Sequence, residues 1–178
     1  MIHEPGTLLR HRFEVPDGLN CPVDHLLLVA SPAGLRAVLW PNDLDGSRPK
    51  DRVPLDATTE GVNEAIERAV HQLGEYFSGR RTEFDLPLDP VGTAFQKEVW
   101  FGLARIPFGQ TTSYGKQAVD LGRPRAVRAV ASANGRNPIS IVLPCHRIIG
   151  ADGSLTGFAA GLEAKAWLLK HEGAVLFG

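Results

Sequence analysis

Cys145 and His146 stand side by side in "IVLPCHRIIG", residues 141–150, and few residues in the chain are better suited to chemistry. Three readings compete for such a pair. A thiol becomes a nucleophile when a nearby base takes its proton. An ordinary cysteine, with a pKa of about 8.5, is only a few per cent thiolate near neutral pH. A metal site is a poorer fit, because adjacent side chains rarely converge on one ion and zinc ligands are usually about two to five residues apart. Plain packing is the commonest fate of an isolated Cys-His dipeptide, since both types are readily accommodated in a core.

The nucleophilic reading needs a third group that orients the imidazole. Glu172, at the end of the last helical stretch, is the candidate carboxylate. Adjacent side chains need not touch, so the thiol proton is expected to reach His146 through a water. The other cysteine, Cys21, has His25 at a spacing that suits zinc. Its segment offers no clear third and fourth ligand, so no metal is expected and Cys21 is given no role. Two cysteines make no disulfide framework, and a reducing cytoplasm is the expected setting.

The elements that must position this pair lie in residues 90–178. Thr93 followed by Gln96 is a capping-box signature. The helix it opens carries Phe95, Val99, Leu103 and Ile106 on one face and stops before Pro107. A short helix from Tyr114 to Leu121, the turn Gly122-Arg123 and a helix from Pro124 to Asn134 make a helix-turn-helix. The second of those helices, "PRAVRAVASAN", is slim and rich in alanine. Val127, Val130 and Ala131 face the core, and Arg125, Arg128 and Ser132 fall together on another face. Such a helix can approach a nucleic-acid groove closely, although the same shape occurs in proteins that touch no DNA. The buried run Ile139–Leu143, a Gly-rich loop over 150–161 and a helix over 162–171 complete this half.

Residues 1–89 read as a small α/β domain. Apolar runs on either side of Ser31-Pro32-Ala33-Gly34 predict a β-hairpin, and residues 41–56 predict a loop. Val62, Ile66, Ala69, Val70, Leu73 and Phe77 predict an amphipathic helix ended by Gly79. The fold class is therefore α/β (α+β): a sheet-and-helix domain over 1–89 and a mainly helical domain over 90–178. Net charge is −1, but it is unevenly spread. The first half holds 9 basic and 15 acidic residues and the second 10 and 5, with 8 basic against 2 acidic between Lys97 and Arg147. A basic half on a neutral chain suits a polyanion, and equally suits attraction between the halves. No apolar run reaches membrane-span length, and the N-terminus is too polar for a secretory signal.

"LPCHRII", with Asn137-Pro138 ahead of it, "SYG" and "RAVRAVASANGRNP" further upstream and "GSLTGFAAGLEAKAWLLKHEG" after it, resembles the O6-alkylguanine-DNA alkyltransferases across residues 93–173. The resemblance implies DNA repair by a suicide enzyme. An alkyl group would pass from guanine O6, or thymine O4, in double-stranded DNA to Cys145, with no cofactor. The target base lies inside the duplex and must be flipped out at a cost of a few kcal/mol. The resemblance places the alanine-rich helix in the minor groove and Arg128 in the gap left by the flipped nucleotide. It gives Tyr114 the task of turning the nucleotide out and protonating the leaving guanine. Asn137 braces the turn near the cysteine. The carbonyls of Cys145 and Ile148 and the amide of Ala159 read the base. His146 is the base and Glu172 its orienter.

The product would be a thioether, which water cannot reopen, so each molecule acts once. Departures from the family pattern lie in the pocket: Phe158 replaces a tyrosine, and Ala159 and Ala160 replace smaller or polar residues. The protein is expected to be a monomer in solution, able to bind cooperatively on DNA. Three rivals make other demands. An alkyltransferase-like binding module lacks the cysteine, a helix-turn-helix regulator reads sequence without accepting alkyl groups, and a cysteine hydrolase needs an oxyanion hole that no segment suggests.

Overall fold

A computed structural model describes residues 6–44 and 53–175. The chain divides into two compact units, Met1–Val91 and Gly92–Gly178.

The first unit is built on a four-stranded sheet of order β3-β2-β1-β4. Its strands are β1 (Leu8–Glu14), β2 (His25–Ser31), β3 (Gly34–Leu39) and β4 (Thr58–Glu60). The hairpin expected around Ser31–Gly34 is present, with Leu28 opposite Val38 and Ser31 opposite Gly34. Gly34 is required by a close approach: a Cβ there would sit 2.5 Å from the Pro87 carbonyl oxygen. That approach lets Leu35 donate to Pro87 O and accept from Asp89 N, each at 2.8 Å. Helix α2 (Glu64–Phe77) packs on β2 and β3 through Ile66, Ala69 and Leu73, all fully buried. Burying each of the larger apolar side chains stabilises by about 1.5–3 kcal/mol.

Two expectations for this unit are corrected. Asn63 caps α2 by accepting from Ile66 N at 3.1 Å, so the helix begins after Val62. Val62 is exposed and Thr58–Glu60 is a strand. Within the expected loop over 41–56, Pro41–Leu44 forms one helical turn, α1, whose Asp43 accepts from Trp40 N. Residues 45–52 of that loop lie outside the described residues.

The second unit opens with the capping box at full strength. Thr93 Oγ1 accepts from Gln96 N at 3.1 Å and Gln96 Oε1 accepts from Thr93 N at 2.9 Å. They start α3 (Ala94–Leu103), which packs on α5 (Val127–Asn134), as does α4 (Tyr114–Asp120). Val99, Ala118, Val130 and Ala133 form the core between them. Buried Trp100 donates to Ala133 O at 2.7 Å, and Asn134 donates to Gln117 Oε1 at 2.6 Å. The helix-turn-helix is present, but its second helix starts at Val127 rather than Pro124. Ala126 N donates to Arg123 O at 2.9 Å, so Pro124 holds the second position of a β-turn, where its fixed φ is equally at home. Arg125 therefore precedes the helix instead of riding on it. Ile106 likewise follows α3 instead of lying within it.

Two short strands, β5 (Thr112–Ser113) and β6 (Ile148–Ile149), pair in parallel. This pairing brings the start of α4, hence Tyr114, beside the segment leaving Cys145. Helix α6 (Leu162–His171) is the last helix among the described residues. Among the described residues, no helix is long and apolar enough to cross a membrane.

Candidate active site

The site begins with a strained turn. Ile141 is fully buried with φ at 71°, a left-handed conformation that a β-branched residue adopts at a cost of about 1–3 kcal/mol. Asn137 holds it there. Its side-chain amide donates to Leu143 O at 2.7 Å and its oxygen accepts from Ile139 N at 3.0 Å. These bonds span the turn from both ends, and Leu143 N donates to Ile139 O at 3.0 Å inside it.

The chain then enters a single 3₁₀ turn, Cys145–Arg147, closed by Arg147 N donating to Pro144 O at 3.0 Å. Three residues per turn point successive side chains about 120° apart. Cys145 is left half-buried while His146 and Arg147 turn inward, His146 completely. Adjacent residues thus take separate tasks, and the pair does not converge on one point as metal ligands would. Among the described residues no group of three or more His, Cys, Asp or Glu side chains is placed to hold a metal ion.

Glu172 lies just past the end of α6, as its C-cap. A helix C-terminus repels a carboxylate, so other groups must hold it. Oε1 accepts from His146 Nε2 at 2.7 Å and from Arg147 Nη2 at 3.0 Å. Oε2 accepts from Arg147 Nε at 2.8 Å and from Gly109 N at 3.4 Å. Burial alone would raise the Glu172 pKa, but the bonds and charges of His146 and Arg147 outweigh it and hold the carboxyl well below the usual range. Glu172 is therefore ionised.

His146 is driven towards its neutral form. Burial lowers its pKa below the ordinary imidazole value, with Arg147 and Lys165 acting in the same direction and Glu172 opposing. A neutral His146 that donates Nε2–H to the carboxylate keeps its lone pair on Nδ1. That nitrogen is buried and has no hydrogen-bond partner among the described residues. A proton acceptor, fixed in tautomer and orientation, thus belongs to the residue next to the thiol.

The other expected residues divide into two groups. Ile148 is buried in β6, and its N–H donates to the Cys145 carbonyl, leaving that oxygen one lone pair. Phe158 is half-buried, its ring 6.5 Å from the His146 ring and edge-on to it. Ala159 and Ala160 are half-buried beside it in the chain. Tyr114 is half-buried, and its hydroxyl accepts from Thr156 Oγ1 at 3.4 Å, tying α4 to the same loop. Arg128 and Ser132 are instead exposed on α5, and Arg125 is exposed in the turn before it. Among the described residues no hydrogen bond joins these three to the Cys145 cluster.

Two residues of this site escape the sequence reading. Arg147 lies in the quoted motif but carries no sign there that it is buried. Lys165 is fully buried in α6, where its ammonium donates to the Ile148 carbonyl and to Thr156 O, the latter at 2.7 Å. It clasps the 150–161 loop to β6. Burial brings its pKa down to about 8, against the pull of a negative Cys145. A lysine at one helical position looks the same in sequence whether it is solvated or enclosed.

Comparison with known proteins adds a family. Residues 94–174 match the DNA binding domain of 6-O-methylguanine DNA methyltransferase, and residues 18–90 match its ribonuclease-like domain. A methylated-DNA–protein-cysteine methyltransferase of Methanosarcina barkeri is 46% identical over 156 residues, covering 88% of this chain and 95% of that protein. One from Mycolicibacterium paratuberculosis is 56% identical over 108 residues, 61% of this chain and 66% of that one. Among solved structures, the crystal structure of Mycobacterium tuberculosis OGT in complex with DNA matches with a TM-score of 0.76 at 39% identity, over 93% of this chain and 92% of that one.

Proposed function

Since the chain belongs to the 6-O-methylguanine DNA methyltransferase family, and so repairs DNA by moving an alkyl group from guanine O6 onto one of its own cysteines, we propose that Cys145 is the cysteine consumed and that the second unit binds the DNA and carries the reaction. The observation that carries this reading is the half-buried thiol beside a wholly buried histidine, whose Nε2 is fixed by Glu172 and whose Nδ1 has no hydrogen-bond partner among the described residues.

The damaged guanine leaves the stack, and Arg128, planar and rich in donors, takes its place between the bases. Arg125 and Ser132 flank it on the DNA. Tyr114 lies against the flipped nucleotide. Phe158, Ala159 and the Ile148 carbonyl shape the pocket, and the carbonyl's fixed direction owes much to Lys165. His146 Nδ1 accepts the Cys145 proton through a bridging water. The thiolate attacks the alkyl carbon in line, a C–S bond forms as the C–O6 bond breaks, and Tyr114 supplies a proton to the leaving guanine. The thioether offers water no carbonyl, so the protein acts once. The same chemistry suits O4 of thymine. The first unit serves as support, and the protein works as a cytoplasmic monomer that gathers on DNA.

The test is Cys145→Ala. It should bind O6-methylguanine DNA as the parent does and accept no alkyl group. Transfer surviving in that variant would refute the assignment.

A further inference from the structure

A buried carboxylate bonded to a buried imidazole is, by itself, a proton trap. In a low-dielectric interior the negative charge favours imidazolium over imidazole, and a histidine that already carries a proton cannot take one from a thiol. The geometry around Glu172 avoids this. The Arg147 guanidinium lies side-on to the carboxylate, Nε on Oε2 at 2.8 Å and Nη2 on Oε1 at 3.0 Å. It shares Oε1 with His146 Nε2. The charge of Glu172 therefore has a counter-ion, and its remaining pull on His146 is opposed first by burial and then by Arg147 and Lys165. Arginine does not deprotonate in the working pH range, so the counter-ion is permanent.

Arg147 is also locked in place. Nη1 donates to Ile106 O at 2.6 Å, and the guanidinium stands over the Phe108 ring, 5.8 Å from its centroid. Among the described residues, the charged groups acting on His146 are Glu172 at the end of α6, Arg147 in its own turn and Lys165 from within α6, and Cys145 is its chain neighbour and acts on Lys165. Lys165 acts in the same sense as Arg147, and a Cys145 thiolate opposes both.

We propose that Arg147 is a positioning residue for the transfer reaction: the fixed counter-ion of Glu172 that leaves His146 in its neutral, proton-accepting form. This rests on the reading of His146 as the base of Cys145. With the guanidinium gone, Glu172 would keep its charge and hold a proton on His146. Free base would then be scarce at a pH where the parent still has it, and the acid limb of the rate profile would move up.

The experiment measures single-turnover transfer from O6-methylguanine DNA against pH for the parent, Arg147→Gln, Arg147→Lys and His146→Ala. For Arg147→Gln, the acid limb should rise by about one pH unit or more, so the rate on the acid side of both limbs, relative to about pH 9, should fall roughly tenfold. Arg147→Lys, which restores the charge without the fork, should move the limb back. A rate lowered equally at every pH, with the limb unmoved, marks a purely structural role and overturns the proposal. If Arg147→Gln does not fold, the ring-nitrogen NMR shifts of His146 in the parent decide. A neutral Nε2–H ring near neutral pH supports the proposal, and an imidazolium there overturns it. His146→Ala separates the two readings. Transfer by that variant at the parent rate and pH profile removes the base itself. A slow His146→Ala together with an unmoved Arg147→Gln limb removes the role of Arg147 alone.

Discussion

Cys21 and Cys145 are both half-buried thiols outside any disulfide, yet they stand in opposite surroundings. Cys21 sits in a loop of the first unit, in an open pocket lined by Asp17 and Asp24 and, among the described residues, by no basic side chain. Burial pushes its thiol pKa up, and a backbone N–H at Val23 only partly offsets this. Cys145 sits on a 3₁₀ turn beside an imidazole with an open nitrogen, and a buried ammonium, Lys165, feels its charge. Exposure and residue type alone do not make a nucleophile. The neighbours decide how much thiolate exists and where its proton goes.

The largest effects should come from breaking that contrast directly. Removing the base by His146→Ala should slow transfer by about 10²–10⁴-fold, measured in single turnover, while Cys21→Ala should leave the rate at the parent value. A loss in Cys21→Ala would mean that the first unit takes part in the chemistry. A step smaller, Arg128→Ala should slow transfer roughly tenfold or more at equal DNA occupancy, because the flipped state loses its filler. An unchanged rate would remove the finger role.

Asn137→Ala leaves the Leu143 carbonyl and the Ile139 amide without their partner and should cost about 1–3 kcal/mol in chemical denaturation. Because it holds the strained turn before Cys145, the same variant should also lose transfer. Stability without loss would make the brace redundant.

The smallest effect is in pH dependence. His146 and Glu172 both have folded pKa values below their ordinary 6.5 and 4.5. Each therefore binds a proton more readily when unfolded, and the stability it contributes is complete above its ordinary value and lost as pH falls towards its folded value. Denaturation midpoints should decline below about pH 6.5 and again below about pH 4.5. In His146→Ala the first decline should vanish, and its persistence would place the titration elsewhere.

Local rules made much of the fold legible. The Thr93–Gln96 box and the Ser31–Gly34 turn each rest on bonds between residues two or three apart, and both form. Pro124 shows where such rules stop. Its fixed φ fits a helix start and a turn alike, and the bond from Ala126 to Arg123 chose the turn. Val62 carries the right period, but the Asn63 cap lies after it. In the site, Cys145, His146 and Glu172 could be found because their types suggest the chemistry. Arg147 and Lys165 act through burial, and burial is set by packing between segments distant in sequence, Ile106 and Phe108 for one and Thr156 for the other.

The central claim is that one thiol of two is the acceptor and is used once. Peptide mass analysis after exposure to excess O6-methylguanine DNA tests it most directly. The peptide containing Cys145 should gain the mass of a single CH₂ group, with a stoichiometry of one per molecule, while the peptide containing Cys21 stays unmodified. Methyl found on Cys21, or methyl removed from DNA in excess of the protein present, would contradict it.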